Sequence, residues 1–467
     1  MKILLIQPNP RGYYAWPVCA CIPLGLLYIA AALRRTEGRQ IEIMDARCEN
    51  LGQKAIAARI TQFAPDVVGI TGLNPEASAV LAVASLAKKA APACKVIVGG
   101  PYAITSPEEA LFCPDIDFAV LGEGEETACA LIEALETGSL KFAAIDGLAF
   151  RENGLVVVNK RRAPIEDIDG IPFPAWDLVN VKKYFGLWVR HSQNPFPASQ
   201  RIMPVFTSRG CPYGCIFCHN IFGKKTRLRS VESVMREIEL LVEKYRIGEI
   251  EIIDDIFNID LPRAEKICDE IIRRGIKIKL SFPNGLRVDT MDEELLLKLK
   301  KAGLHLLAYA IESGSPAVQK RMGKHLNLEK AARMARFTNE QGIFFGGFFM
   351  LGFPGETREE LQATLRFSRE VPFHQANFFF VTPRPNTVLY EMAAKQIGGV
   401  GKVAHASYFR FSVNLSAVSD EELQKTMEEA EAYYAHPLRF LRAFLKIPDK
   451  LYVLRLVLRA FFLRRFA

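Results

Sequence analysis

Nine residues constrain this chain more than any others: Cys211-Pro-Tyr-Gly-Cys215-Ile-Phe-Cys218-His219. Three cysteines stand at C-x-x-x-C-x-x-C spacing, directly after the apolar run 203–207, which reads as a strand. The loop therefore sits at a strand's C-terminal end. Thiolates are the usual ligands of iron–sulfur clusters. Three of them on one tight loop can hold three irons of a cubane and leave the fourth open to a substrate. Zinc wants four ligands, and His219 follows Cys218 too closely to share its metal easily. A disulfide needs an oxidising compartment, and the apolar run behind Met1 is too short for a signal peptide. A coincidental spacing is the remaining alternative.

At 467 residues the chain has room for two or three domains. Its 49% hydrophobic content is ordinary for a globular protein. The net charge of +8 alone points only weakly to an anionic partner. No run of about 18 uncharged apolar residues occurs, so no transmembrane span is expected. The other cysteines (Cys19, Cys21, Cys48, Cys94, Cys113, Cys129 and Cys268) are scattered, and each is expected to be a small buried hydrophobe. The expected location is reducing and cytoplasmic.

Apolar runs at 2–7, 41–45, 67–71, 95–99 and 118–122 alternate with helical patterns at 23–35, 53–63, 77–91 and 125–135. That alternation predicts a parallel, doubly wound α/β sheet, whose ligands sit at the strands' C-terminal ends. Those ends are rich in small residues: Thr71-Gly72-Leu73-Asn74, Gly99-Gly100-Pro101-Tyr102 and Gly122-Glu123-Gly124-Glu125. Glycine lets a bulky flat cofactor approach the backbone, although each loop alone also suits an ordinary tight turn. A nucleotide-binding or purely structural domain is the alternative. A hairpin is expected over 146–162 around Asn153-Gly154, then an extended proline-rich stretch at 168–177. Residues 184–200 have no clear pattern.

After the cysteine loop the alternation resumes. Strands at 249–254, 277–281, 305–311, 344–350 and 375–381 join the strand before Cys211 to make six, with helices at 230–244, 261–273, 292–302, 328–341 and 358–370. Barrel chemistry belongs at strand C-termini, and polar motifs fall there: Asp254-Asp255, Asn284-Gly285-Leu-Arg287, Glu312-Ser313-Gly314, Gly352-Phe-Pro-Gly355-Glu-Thr357 and Pro383-Arg-Pro-Asn386-Thr387. Any one of them could be a helix cap or turn. Residues 419–434 read as an acidic amphipathic helix. From His436 the composition turns to Arg, Leu and Phe, with eight basic residues against one acid, Asp449. That suits an interfacial helix on anionic lipid. A helix docked on the barrel is the alternative, and the leucine and phenylalanine content disfavours nucleic acid.

The cysteine loop, with aromatic Phe217 before its last cysteine, resembles the cluster loop of the radical S-adenosylmethionine (SAM) superfamily. The three glycine-rich strand ends resemble the cobalamin-binding domain that precedes many of its barrels. The resemblance implies a Rossmann-like cobalamin-binding domain over 1–145, a linker over 146–200, a partial (β/α)6 TIM-type barrel over 201–400 and a helical tail over 401–467. It implies a [4Fe–4S] cluster on Cys211, Cys215 and Cys218, and SAM held by Phe217, Asp255, Arg287, Glu312 and Ser313. Cobalamin would meet Thr71, Gly72, Gly99, Gly100, Pro101, Tyr102, Gly122, Glu123, Gly124 and Glu125. There is one departure. Where related cobalamin domains carry D-x-H-x-x-G, this chain has Asp45-Ala-Arg47-Cys-Glu-Asn50. Arginine cannot ligate cobalt, so the lower face is expected to be open, water-bound or blocked by a side chain. Asn386 also stands where relatives more often have Gly.

The implied activity is methyl transfer to an unactivated carbon of a small-molecule or lipid-like substrate, through a 5′-deoxyadenosyl radical and methylcobalamin. A non-methylating cyclase or rearrangement enzyme of similar build, and a non-catalytic iron–sulfur and cobalamin-binding module, are the other readings. An electron donor such as flavodoxin or ferredoxin is implied. The tail would touch a membrane surface, and no nucleic-acid partner is expected.

Overall fold

Unbroken apolar runs become several of the parallel strands, as at 3–6 and 96–98, because a strand covered on both faces has no side to show to water. A computed structural model of the chain describes residues 1–11, 21–185, 196–219, 221–397, 413–447, 450, 451 and 454. Expectations for Cys19, for 186–195 and for Asp449, Arg455, Leu458, Arg459, Phe461, Phe462, Arg464 and Arg465 lie outside the described residues. The chain divides into two compact units, Met1–His191 with Ile221–Gly223, and Ser192–Asn220 with Lys224–Ala467.

In the first unit β1 (Lys2–Gln7), α1 (Leu24–Leu33), β2 (Gln40–Asp45), α2 (Gln53–Phe63), β3 (Val67–Thr71), α3 (Ala77–Ala90) and β4 (Lys95–Gly99) alternate. Two short helices, α4 (Gly100–Thr105) and α5 (Pro107–Phe112), lead to β5 (Phe118–Val120) and α6 (Gly124–Glu136). The hairpin β6 (Leu148–Glu152) and β7 (Leu155–Val158) follows. The sheet order is β2-β1-β3-β4-β5-β6-β7. The first five strands are parallel, with α1 against α6 and α2 against α3, which is the doubly wound arrangement. Leu4, Ile6, Val68, Val96 and Val98 have no exposure and form its core with Ile60, Val80 and Ala84.

The hairpin expected in the linker forms, but it does not stand apart. β6 runs antiparallel to β5, and β7 to β6, so residues 148–158 extend the first sheet. Asn153 and Gly154 take φ of 50° and 81°, the two positive values a type I′ turn requires. Among the scattered cysteines Cys94 and Cys268 are buried, whereas Cys21, Cys48, Cys113 and Cys129 are only partly so.

The second unit opens with β8 (Ile202–Val205), β9 (Ser208–Arg209), β10 (Arg227–Leu228) and α7 (Val231–Tyr245). Then come β11 (Glu249–Ile252), α8 (Leu261–Arg273), β12 (Lys279–Leu286), α9 (Glu293–Lys301), β13 (Leu304–Glu312), α10 (Pro316–Arg321) and α11 (Leu328–Glu340). β14 (Phe344–Leu351), α12 (Arg358–Glu370), β15 (Gln375–Phe380), α13 (Val388–Ile397), α14 (Asp420–Ala435) and α15 (Pro437–Lys446) complete it. The sheet order β15-β14-β13-β12-β11-β8 is parallel throughout and leaves β8 and β15 as its two edges. This is the open six-stranded barrel. Side-chain caps start its helices where the loops end: Ser230 on α7, Asp260 on α8, Asp292 on α9, and a Thr357–Glu360 capping box on α12. The start of the tail is a docked helix, with Ala443 and Ile447 of α15 packed on Leu306 and Phe344. Among the described residues no helix is long and apolar enough to cross a membrane.

Candidate functional site

The cysteine loop is closed at its base and clasped along its length. β9 and β10 pair antiparallel, Ser208 with Leu228 and Arg209 with Arg227, which brings the loop's two ends together. Gly210 N–H donates to Asp255 Oδ2 at 3.1 Å. Ile216 N–H donates to the Met322 carbonyl at 3.0 Å, and Leu389 N–H to the Ile216 carbonyl at 2.9 Å. Gly323, at φ 70°, comes so near that a Cβ there would lie 3.0 Å from the Gly214 oxygen. Phe217 sets its edge on Phe353 at 5.8 Å, and with Ile216 it packs on Val318, Met322 and Met350. The apolar side chains of the loop thus go inward, while Cys211 and Cys215 stay partly open and Cys218 is exposed.

Burial pushes the Cys215 thiol up to about 11; the Lys324 ammonium pulls it down, and Cys218, Glu312 and Cys211 push it further up. Burial also raises Cys211, and Cys218 adds to that. The three sulfurs therefore feel one another's charge. Such thiols keep their protons near neutrality unless a metal takes the proton's place, as it does for a ligand set. Among the described residues no three His, Cys, Asp or Glu side chains converge on one point as a single ion needs. A cubane makes no such demand, because each thiolate binds a different iron. The donor set fits a cluster.

At the barrel's strand ends the motif residues divide into two groups. Asp254 is buried and accepts from Thr207 N–H at 2.6 Å, Thr207 Oγ1 at 2.5 Å and Ser208 Oγ at 2.7 Å, so it ties β11 to the strand before the cysteine loop. Asp255 is exposed, one carboxylate oxygen on Gly210 N–H. Glu312 holds φ at 69° and pairs with Lys324 Nζ at 2.9 Å, both nearly buried. Two expected SAM contacts are occupied otherwise. The Ser313 hydroxyl has no exposure; it meets Thr364 Oγ1 at 2.9 Å and accepts Ser315 N–H at 3.1 Å, so it serves the turn into α10. Arg287 lies 3.8 Å from the Tyr213 ring centroid and 2.7 Å from Asp289, at an angle that makes no hydrogen bond of that pair, although its Nη2 donates to Asp289 Oδ2 at 3.0 Å. Its guanidinium braces the cysteine loop from outside.

Two residues of this site escaped the sequence reading. Lys324 was invisible as a lone lysine beyond a short helix. Glu356 lay inside a quoted motif without a role. It is fully buried, accepts Gly352 N–H at 2.7 Å and Phe353 N–H at 2.9 Å, and burial pushes its carboxyl up to about 7. A carboxylate shortly after the glycine turn at Gly352 was the available signal.

At the first sheet's edge, polar side chains knit the strand ends together. Asp45 Oδ1 accepts Arg47 and Cys48 N–H, and its Oδ2 accepts the Tyr184 hydroxyl at 2.6 Å. Arg47 Nη2 meets Glu76 Oε1 at 2.6 Å, with both side chains about nine-tenths buried. Asn74 Nδ2 donates to Thr105 Oγ1 at 2.6 Å. Gly100 is at φ 78°, and a Cβ there would stand 2.6 Å from Thr71 Oγ1. Above Gly99 and Gly122 nothing lies within 4 Å of the position a Cβ would take.

Three expected cobalamin contacts have their side chains elsewhere. Tyr102 is 1% exposed and in the core, its N–H on the Gly72 carbonyl at 3.0 Å. Glu123 Oε2 accepts Ile165 N–H at 2.7 Å and holds the segment after the hairpin. Glu125 is buried at the start of α6. Two polar atoms at this edge, Gln7 Oε1 and Arg47 Nε, are buried without a partner among the described residues. Bare backbone at the ends of β4 and β5 (Gly99 and Gly122), with unpartnered polar atoms at the ends of β1 and β2 in the same row, fits a broad, flat, polar-fringed macrocycle. Residues 1–190 contain no histidine, so this unit has no imidazole to offer cobalt before His191.

Residues 205–368 match the Radical SAM superfamily, and residues 19–132 match the B12 binding domain. Over 397 residues the chain is 36% identical to an uncharacterized methyltransferase of Pyrococcus horikoshii, covering 84% of this chain and 83% of that one. Over 444 residues it is 30% identical to cytidylyl-2-hydroxyethylphosphonate methyltransferase of Streptomyces wedmorensis, covering 85% and 82%. The radical S-adenosylmethionine methyltransferase TsrM of Kitasatospora setae, solved with cobalamin and a [4Fe–4S] cluster bound, shares the fold at a TM-score of 0.69 and 22% identity, over 85% of this chain and 75% of that one. The chain belongs to the radical SAM enzymes that carry a B12-binding domain ahead of the barrel.

Proposed function

We propose that this enzyme moves a methyl group onto an unactivated carbon of a small-molecule or lipid-like substrate. The observation that carries the reading is the pairing, in one chain, of a clasped three-thiol loop at barrel strand ends with a bare-backboned sheet edge that offers no histidine. When bound, the cluster and SAM supply a carbon radical and cobalamin supplies the methyl group.

The chain's own residues bind, orient and exclude water. Cys211, Cys215 and Cys218 would hold the cluster, and Asp255, Arg287 and Phe217 keep their loop in one shape. Glu312 would accept a hydrogen bond from the SAM amino group, with Lys324 fixing its carboxylate. Thr71, Gly72, Gly99, Gly100, Pro101, Gly122 and Gly124 would give the macrocycle its backbone seat, with Tyr102, Glu123 and Glu125 shaping that seat from behind. The Arg47–Glu76 pair stands where a cobalt-binding imidazole would come from. A flavodoxin- or ferredoxin-like donor would deliver the electron, and the tail would bring the enzyme to a membrane surface.

The test uses reconstituted enzyme, reductant and SAM labelled with 13C in its methyl group, with candidate substrates. Methyl transfer should give labelled product with S-adenosylhomocysteine and 5′-deoxyadenosine in equal amounts. Product without label, with 5′-deoxyadenosine alone, would overturn the reading in favour of a cyclase or rearrangement.

A further inference from the structure

α15 has two apolar faces, and its docking accounts for only one. Ala443 and Ile447 are buried and, with half-buried Phe444, pack on Leu306 and Phe344. Two of the helix's cations belong to that docking. Arg439 Nη1 donates to the Tyr433 hydroxyl at 2.7 Å, its guanidinium 4.2 Å from that ring's centroid, and Lys446 Nζ donates to Asn339 Oδ1.

The other face is a row of leucines. Leu438, Leu441 and Leu445 are 61%, 52% and 58% exposed. Residues three and four apart share one side of a helix, so the three form a single stripe. Arg442, also exposed, borders it. Leu451 and Leu454 beyond the helix are exposed too, at 71% and 45%. A helix that only covers a barrel turns polar residues outward; an exposed leucine row implies a second surface to bury it.

Charge says what that surface is. Residues 437–467 carry eight Lys and Arg against one Asp, a net of +7 (8 − 1). The whole chain is +8, so the other 436 residues carry +1 (8 − 7). A second copy of this chain fits poorly, because a two-fold contact through the stripe would set the same cations against each other. An anionic surface with an apolar interior complements both features.

We propose that α15 docks the protein peripherally on an anionic lipid bilayer, Leu438, Leu441 and Leu445 entering the headgroup region with Arg442 against lipid phosphates. The proposal does not depend on methyl transfer, and its test reads membrane partition alone.

Full-length, cofactor-loaded protein is sedimented with vesicles of phosphatidylcholine, alone or mixed with phosphatidylglycerol. The native chain should bind the mixed vesicles and leave the neutral ones. It should be released as salt rises from about 0.15 M to 1 M, which shortens the Debye length from about 8 Å to 3 Å. The variant Leu438→Ser/Leu441→Ser/Leu445→Ser should lower the partition coefficient about tenfold or more. Arg442→Glu, a change at an exposed position that keeps the leucines, should lower it severalfold and guards against misfolding of the triple variant. Equal binding of the native chain and both variants would overturn the proposal, as would equal binding to neutral and anionic vesicles. A lipid-free dimer that the triple substitution splits would assign the stripe to a second copy and overturn it too.

Discussion

Replacing Lys324 by Met attacks the buried ion pair between the end of β13 and the loop after α10. Nζ of Lys324 lies 2.9 Å from Glu312 Oε1, with side chains 7% and 11% exposed. At an effective dielectric of about 20 the attraction at that distance is about 6 kcal/mol. Removing both charges from water offsets most of it. Removing only one partner is worse, because Met fills the space of the lysine stem yet leaves Glu312 buried without a counter-ion, at a cost of about 3–5 kcal/mol. Glu312 also sits at φ 69°, a conformation that persists only where surrounding contacts hold it, and Lys324 is one of those contacts. Urea unfolding of cofactor-free full-length protein reads the effect on Lys324→Met, Glu312→Gln and the double variant. The lysine variant should lose about 3 kcal/mol or more, and the double variant should lose less than the two singles summed, by about 2 kcal/mol. With the cluster loaded, the same lysine variant should also show a lower midpoint potential, since a cation whose charge acts on Cys215 is gone. A loss under about 0.5 kcal/mol, or strict additivity, would show that solvent screens the pair and would refute the reasoning.

Three further outcomes are expected. Burial holds the Glu356 carboxyl near 7 against about 4.3 in the unfolded chain. The folded state therefore binds the proton more tightly, and stability falls as pH rises between those values and levels off above. Glu356→Gln should abolish that fall, gaining about 3 kcal/mol at pH 8 relative to pH 4, and parallel urea midpoints across pH in both proteins would contradict it. Gly100→Ala forces a Cβ to within 2.6 Å of Thr71 Oγ1 at φ 78°; it should cost about 1–3 kcal/mol in a thermal melt and lower the cobalamin retained after gel filtration, and an unchanged melt would sink the strain argument. Electron paramagnetic resonance of the Co(II) form should lack nitrogen superhyperfine splitting from a protein imidazole, and seeing that splitting would contradict the reading of the histidine-free sheet edge.

Local pattern carried the fold well, because its signals are local. Buried strands are unbroken apolar runs, as in β1 and β4, and the thiol loop is nine consecutive residues. The hairpin was legible from Asn153-Gly154, since a type I′ turn asks for residues that tolerate positive φ. Its attachment to β5 was not, because antiparallel addition to a parallel edge leaves no mark on either segment. Side-chain destinations were harder still. Ser313, Arg287, Tyr102 and Glu123 sit at the expected strand ends, yet each side chain is taken by a partner far off in sequence: Thr364, Tyr213, the core and Ile165. A strand end says where a residue's Cα lies, and packing decides where its polar atoms go. Lys324 became visible only once β13 and the loop after α10 were side by side.

The hairpin β6–β7 also bears on the moment of synthesis. Until it forms, β5 offers an unpaired row of N–H and C=O groups, the kind of edge on which chains aggregate. From the end of β5 at Val120 to the end of β7 at Val158 is 38 residues, roughly 2 to 8 seconds of translation. β5 is only three residues long, and so short an edge is a weak template during that wait. The same geometry tells an engineer where to cut: a B12-binding unit excised at residue 145 would carry the bare edge permanently, whereas one excised after residue 160 would keep its own cover.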